Sequence, residues 1–235
     1  MSVLDRIPVT APVEEVVRNL RLNGVDGETK AHALLAEARP LLHPKALYKE
    51  AFIEEKGPDW VRVEGFAFRS RVLRANLEKA EKVFAFVLTV GGGLEARASR
   101  TGDLLHQFSL ETIADLALQA AAGFLENHLK TRFGFETLSS LSPGSLEDWP
   151  ITEQRPLFDL LGDPAAAVGV KLSDALLMIP RKSVSGLFFP TDESFSSCRL
   201  CPRERCPGRR APFDPAERAK FEDGRPAEHD SGLEI

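Results

Sequence analysis

The three cysteines of this chain lie close together, at Cys198, Cys201 and Cys206, in the spacing C-x2-C-x4-C. Thiolates at short spacing are ligands for zinc and for iron–sulfur clusters. Positive charge nearby lowers the pKa of a thiol and makes it a better ligand. A closed site needs a fourth ligand, for which His229 is a candidate. Three interpretations stay open: an iron–sulfur cluster, a zinc site, or three free thiols. The same segment carries five arginines: Arg199, Arg203, Arg205, Arg209 and Arg210.

A second candidate site is the loop Ser142-Pro143-Gly144-Ser145. Proline fixes one backbone angle and glycine permits angles that other residues avoid, so the loop is predicted to be rigid. Such a loop presents main-chain carbonyls and amides to a polar ligand. Trp149 offers it an apolar or cation–π face, and Asp148 and Gln154 flank it. The alternative is a structural loop with Trp149 packed in the core.

Three other patterns are weaker indications of a functional site. Gly91-Gly92-Gly93 fits neither the dinucleotide fingerprint nor the phosphate-loop pattern, which favours a tight and crowded turn. The five histidines are scattered, and none pairs with another at the spacing of a metalloprotease. Ser183-Val184-Ser185-Gly186 lacks the leading glycine of a nucleophile elbow.

Composition places the chain among soluble globular proteins. It has 235 residues, a formal charge of −5 and 43% hydrophobic residues, which suits one large domain or two small ones. Its mild acidity argues against nucleic-acid binding. No apolar run approaches the roughly 18 residues of a membrane helix. The N-terminus lacks the features of a secretory signal, so we expect a cytoplasmic protein with no membrane partner.

Hydrophobic periodicity predicts a helical N-terminal region over residues 1–44. One helix begins at Pro12 and ends at Asn23-Gly24, and a second ends near Pro40. Further along, the longest periodic pattern predicts a helix over residues 104 to 133, and a short one follows at residues 153 to 161.

The middle of the chain, residues 45–190, carries the predicted strands. Alternating apolar residues predict two half-buried strands joined by a turn at residues 56 to 59. The run VFAFVLTV predicts a central strand buried on both faces. Three apolar segments near residues 167 to 189 also suit strands, whereas the polar chain after Phe213 is expected to be loosely ordered. Because strands and helices come in blocks, we predict an α+β fold with a mostly antiparallel sheet.

Two consecutive stretches, LSPGSLEDWPITEQRPLFDLLG and VGVKLSDALLMIPRKSVSGLFF, resemble the activation domain of cobalamin-dependent methionine synthase. That family has an Arg-x-x-Pro-Gly-Tyr loop and a short helix, then a Gly-x-x-Leu-Thr-x-x-x-x-Met-x-Pro segment that ends in Ser-Val-Ser-Gly. The matching positions here include Pro143-Gly144, Gly169, Met178-x-Pro180 and residues 183 to 186. The resemblance extends from about residue 46 to residue 189.

The resemblance implies a single C-shaped domain with a twisted sheet, flanking helices and S-adenosylmethionine in a shallow groove. It places the family's loop arginine on Ser140 and its tyrosine on Ser145. An arginine there would bind the carboxylate of the ligand, and main-chain contacts do not depend on either side chain. The ligand residues implied in this way are Ser140, Ser142, Pro143, Gly144, Ser145, Trp149 and Gln154.

The resemblance also implies a function and partners. The chain would reactivate an oxidised cobalamin held by a separate corrinoid-binding methyltransferase, using a methyl group and one electron from a donor protein. A cluster in residues 191–235 would serve that electron transfer. The alternatives are a corrinoid-protein partner without catalytic activity and a metal-stabilised interaction domain.

Overall fold

The computed structural model describes residues 1–222 except positions 10, 23, 25, 193, 207 and 208. The strands of this described part are β1 (Ser2–Leu4), β2 (Lys45–Lys56), β3 (Trp60–Val63), β4 (Phe66–Arg69), β5 (Lys82–Thr89), β6 (Leu138–Leu141), β7 (Lys171–Leu172), β8 (Met178–Ile179) and β9 (Ser183–Pro190). Its helices are α1 (Val13–Leu20), α2 (Gly27–Ala38), α3 (Arg71–Asn76), α4 (Gly93–Ala98), α5 (Leu104–Phe133), α6 (Gln154–Leu161), α7 (Pro164–Val168) and α8 (Pro215–Glu222).

One antiparallel sheet organises the described chain. Its strand order is β4-β3-β2-β5-β9-β6, and β1 pairs with β2 beside this path. β7 and β8 form a separate two-stranded sheet. All of these pairings are antiparallel. The predicted α+β class with a mostly antiparallel sheet is therefore confirmed.

The strand β5 lies at the centre of the sheet because its sequence is apolar on both faces. All of its residues except Lys82 are buried. Phe84, Phe86 and Leu88 pack on the side of α5, in a cluster that includes Leu125. The alternate residues of β5 pack on the opposite side, in a cluster that includes Trp149. The two sides of β5 thus belong to two separate cores.

The helix α5 is the longest element, as its periodicity predicts. It begins after Asp103, whose carboxylate accepts hydrogen bonds from the backbone amides of Leu105 (2.8 Å) and His106 (3.2 Å). It ends at Gly134, which has a φ of +73° and closes the helix in the left-handed region. By length and composition α5 could cross a membrane. Its buried residues, however, pack against the sheet and against α1, α2 and α4, so it is a core helix of this fold.

The triple-glycine turn is crowded by the neighbouring backbone. Gly91 has a φ of +83°. A Cβ on Gly93 would lie 2.4 Å from the carbonyl oxygen of Leu41, closer than atoms can approach. The backbone angle at Gly91 and the close packing at Gly93 therefore explain these two glycines without a ligand.

Three sequence predictions need correction. The second half-buried strand is in fact a hairpin, β3 and β4, because Glu64 and Gly65 both have positive φ and reverse the chain. In the predicted strand segment over residues 167 to 173, residues 167 and 168 are the end of the helix α7 and only residues 171 and 172 form a strand. Of the chain after Phe213, which was expected to be loosely ordered, residues Pro215–Glu222 form α8, and Asp214 caps its first turn by accepting from the amide of Glu217 at 3.0 Å. Residues 223–235 lie outside the described residues.

Two further predictions fall partly or wholly beyond this description. The predicted helix stop includes Asn23, which lies outside the described residues, while the helices around it match the prediction. The division into regions 1–44, 45–190 and 191–235 stays a prediction. Within the described residues, α1 and α2 share a core cluster with α4 and with the first half of α5.

Candidate functional site

The proline–glycine loop, residues 142–149, leaves the edge strand β6 beside β9. Leu141 pairs with Leu187 of β9, so the loop begins opposite Gly186. A Cβ on Gly186 would lie 2.4 Å from the carbonyl oxygen of Leu141 and 2.9 Å from Ser142 Oγ. Only glycine allows the two backbones to approach this closely. The Ser-Val-Ser-Gly and Pro-Gly motifs are therefore parts of one structural unit.

Hydrogen bonds fix the conformation of this loop. Gly144 has a φ of +81° and donates its amide to the carbonyl of Trp149 at 2.7 Å. The carbonyl of Ser142 accepts from the amide of Ser145 at 3.1 Å and from its hydroxyl at 2.6 Å. Pro143 is buried, whereas Gly144 and Ser145 are exposed. The loop is thus a tight turn whose tip faces solvent.

The side chain of Trp149 lies beneath the loop rather than beside a ligand. It is 0% exposed and packs edge-to-face on Phe68, with ring centroids 6.3 Å apart. An apolar or cation–π face towards a ligand would need the ring to be accessible. The described conformation matches the alternative interpretation, in which Trp149 is part of the core and supports the loop.

Two other residues implied by the resemblance lie away from the tip of the loop. Gln154 is 4% exposed at the start of α6 and donates to Ser185 Oγ on β9 at 3.4 Å. Its Oε1 atom has no hydrogen-bond partner among the described residues. Ser140 is half-buried on the edge strand β6, opposite Phe188 of β9. Neither residue lines the cavity beside the loop.

Asp148 fastens the loop to α3. Its carboxylate accepts hydrogen bonds from the Ser70 hydroxyl and from the amide of Val72 at 2.9 Å. Ser70 in turn caps α3 by accepting from the amide of Leu73 at 2.9 Å. The sequence placed Asp148 only as a neighbour of the loop, and no local pattern indicated its distant partner.

A cavity of about 230 Å³ lies beside the loop. Residues 144 to 148 form one wall, and the C-terminal part of the chain forms the other. This is below the roughly 300 to 1,000 Å³ of most small-molecule sites. The sequence did not predict the second wall, because it comes from the polar chain around α8. The lining residues outside the loop are Val72, Leu200, Cys201, Pro202, Arg218 and Phe221.

The loop side of this cavity is rich in hydrogen-bond acceptors. No donor among the described residues reaches the carbonyl oxygens of Gly144 and Ser145, and both residues are exposed. Glu147 and Asp148 line the same wall, where the Asp148 carboxylate also pairs with Arg71 at 3.5 Å, and Arg218 lines the other wall. The two exposed carbonyl oxygens therefore favour a ligand that carries N–H donors.

The cysteine segment, residues 198–211, is organised by Arg209. The guanidinium of Arg209 donates to the carbonyl of Cys198 at 3.0 Å and to that of Cys201 at 3.2 Å. Burial of the Cys198 thiol opposes its ionisation, but hydrogen bonds from the backbone amides of Arg210 and Ala211 and the charge of Arg210 outweigh it, so its pKa is lowered. Cys198 therefore ionises to a thiolate more readily than an isolated cysteine does.

The metal or cluster site is not supported by the described structure. No group of three or more His, Cys, Asp or Glu side chains is assembled for a metal ion within the described residues. Cys198, Cys201 and Cys206 are all half-buried free thiols there. The candidate fourth ligand, His229, lies outside the described residues. A zinc or iron–sulfur site with these cysteines stays a prediction.

Comparison with known proteins finds a similarity in fold. No family model and no curated protein matches the chain. Among solved structures, the chain is similar to the crystal structure of the MetH reactivation domain bound to AdoHcy. The TM-score is 0.54 at 20% sequence identity, over 84% of this chain and 81% of that one. The predicted resemblance is confirmed at the level of fold.

Proposed function

We propose that this protein reactivates a corrinoid-dependent methyltransferase by binding S-adenosylmethionine at the proline–glycine loop. The partner is a separate protein that holds the oxidised cobalamin, in the cytoplasm, and an electron donor supplies one electron. The observation that carries the proposal is the exposed, acceptor-rich loop on a fold similar to that of the MetH reactivation domain, whose structure holds AdoHcy.

The exposed carbonyl oxygens of the loop suit the charged groups of this ligand. S-adenosylmethionine carries a sulfonium and an ammonium group, and both are stabilised by nearby oxygen atoms. The carbonyls of Gly144 and Ser145 would accept from the ammonium group. The contribution of the protein is to orient the ligand, so that its methyl group lies in line with a nucleophile carried by another protein.

The size of the cavity implies that such a ligand extends beyond it. A volume of about 230 Å³ is too small to enclose a ligand of this length. The edge strand β6 has no strand partner on its outer side among the described residues, and Ser140 is its half-buried residue, whereas Leu138, Ser139 and Leu141 are buried. We therefore propose that the amino-acid part of the ligand lies along β6 and the loop.

A substitution at Ser140 tests this arrangement. Ser140→Arg restores the residue of the resembling family and should tighten binding of S-adenosylmethionine by at least about tenfold, because a charged hydrogen bond contributes roughly 1.5–3 kcal/mol. Isothermal titration measures the change. Ser140→Gln, which is long but uncharged, is the matched control and should leave the affinity within about twofold. Equal affinities for the arginine and glutamine variants would remove Ser140 from the ligand site.

A second function is favoured by one specific observation. Serines stand at both positions, Ser140 and Ser145, where the resembling family has arginine and tyrosine. Loss of both side chains suits a protein that docks on a corrinoid protein without binding the methyl donor. Capture of a corrinoid protein by this chain, together with no heat in titrations with S-adenosylmethionine, would establish that alternative.

A further inference from the structure

The cysteine segment forms part of the cavity wall that faces the proline–glycine loop. Cys201 lines the cavity together with its neighbours Leu200 and Pro202. Leu200 is 5% exposed and belongs to the same core cluster as Trp149. Leu200 is thus anchored in the core, between two half-buried thiols.

The backbone brings Cys198 and Cys201 together in a single turn. The amide of Cys201 donates to the carbonyl of Cys198 at 3.4 Å, which closes a turn with the two cysteines as its first and fourth residues. In turns of this kind the first and fourth Cα atoms lie less than about 7 Å apart. A disulfide needs a Cα separation of roughly 4.4 to 6.8 Å. The turn therefore meets the first geometric requirement of a disulfide.

Arg209 holds this turn from one side. Its guanidinium donates to the carbonyls of both cysteines, at 3.0 Å to Cys198 and at 3.2 Å to Cys201. A planar group with donors fixed in a fork keeps two acceptors at a set separation. Cys206 has no such link to Cys201 among the described residues, and its carbonyl instead accepts from the amide of Arg209 at 3.2 Å. The pair favoured by geometry is Cys198 with Cys201.

We propose that Cys198 and Cys201 form a reversible intramolecular disulfide on the wall of the loop cavity, by exchange with a disulfide-bearing partner. The Cys198 sulfur attacks one sulfur of the partner's disulfide, and the other sulfur leaves as a thiolate. The Cys201 sulfur then attacks Cys198, forms the internal bond and releases the second partner thiolate. Two cysteine thiols lose two electrons and two protons, and the partner's disulfide becomes two thiols.

Bond formation changes the cavity because Cys201 is one of its lining residues and its side chain must turn towards Cys198 to form the bond. The cross-link also removes the freedom of the turn that carries Leu200 into the core. The state of the two thiols thus sets the shape of the C-terminal wall, whether or not S-adenosylmethionine is the ligand.

The test is thiol titration of the full-length chain in glutathione buffers. Metal content is measured first, and the protein is then equilibrated anaerobically with a chelator over a series of reduced-to-oxidised glutathione ratios. After blocking of free thiols, mass spectrometry should show a loss of about 2 Da within the peptide that contains Cys198 and Cys201, reversible when the buffer becomes reducing. Cys201→Ser should instead leave Cys198 as a mixed disulfide with glutathione.

Cys206→Ser is the matched control and should form the internal disulfide at the same buffer ratios as the unaltered chain. A bond that includes Cys206, glutathione adducts with no internal bond, or free Cys198 and Cys201 thiols in the most oxidising buffer would each overturn the proposal. Stoichiometric zinc or iron held by all three thiols would also overturn it. None of these results depends on the binding of S-adenosylmethionine, so the two proposals fail separately.

Discussion

Replacing Gly186 with alanine is expected to lower the free energy of unfolding by about 3 kcal/mol and to abolish binding at the loop. The added Cβ would lie 2.4 Å from the Leu141 carbonyl oxygen, which is a backbone atom of the neighbouring strand. Relief requires β6 to separate from β9, and the start of the loop moves with β6. Chemical denaturation and ligand titration of the same variant measure both effects.

Gly123→Ala is the control for this substitution. Gly123 lies within α5, and a Cβ there meets no atom within 4 Å. Alanine is the better helix former, so this variant should be more stable by about 0.5–1 kcal/mol. A Gly186→Ala variant as stable as the unaltered protein would show that β6 and β9 do not approach as described.

Replacing Trp149 with alanine is expected to have an effect of similar or greater size on stability. Truncation of a fully buried aromatic side chain costs about 3–5 kcal/mol because it leaves a cavity in the core. Trp149 is 0% exposed and contacts Phe68, while its carbonyl holds the amide of Gly144. We expect unfolding at lower denaturant concentration and loss of the loop conformation.

Trp149→Phe separates support of the loop from contact with a ligand. Phenylalanine keeps an aromatic ring under the loop, so stability should fall by only about 1–2 kcal/mol and the affinity for S-adenosylmethionine should stay within about twofold. A loss of affinity of tenfold or more in this variant, without unfolding, would mean that the ring contacts the ligand directly.

The sequence predicted those features that depend on local pattern. β5 was predictable from its continuous apolar run, and α5 was predictable because its apolar residues recur at helical spacing. The tight loop was predictable because proline restricts the backbone at Pro143 and glycine permits the positive φ at Gly144. The hairpin of β3 and β4 was missed because the chain reverses at Glu64, a residue that seldom adopts positive φ.

Features that depend on contacts distant in sequence were not predictable. Nothing near Trp149 indicates that Phe68 covers it, so the choice between a ligand face and the core stayed open. The second wall of the cavity comes from Cys201 and α8, in a polar segment with no apolar period. Spacing identified the cysteines as chemically interesting, but their pairing depends on the contacts of Arg209.

The central claim is that the proline–glycine loop binds S-adenosylmethionine, and isothermal titration of the full-length chain tests it most directly. The proposal predicts saturable heat with a dissociation constant of about 1 mM or lower, and loss of that heat in the Gly186→Ala variant. No heat at millimolar ligand, or the same heat from both proteins, would contradict it.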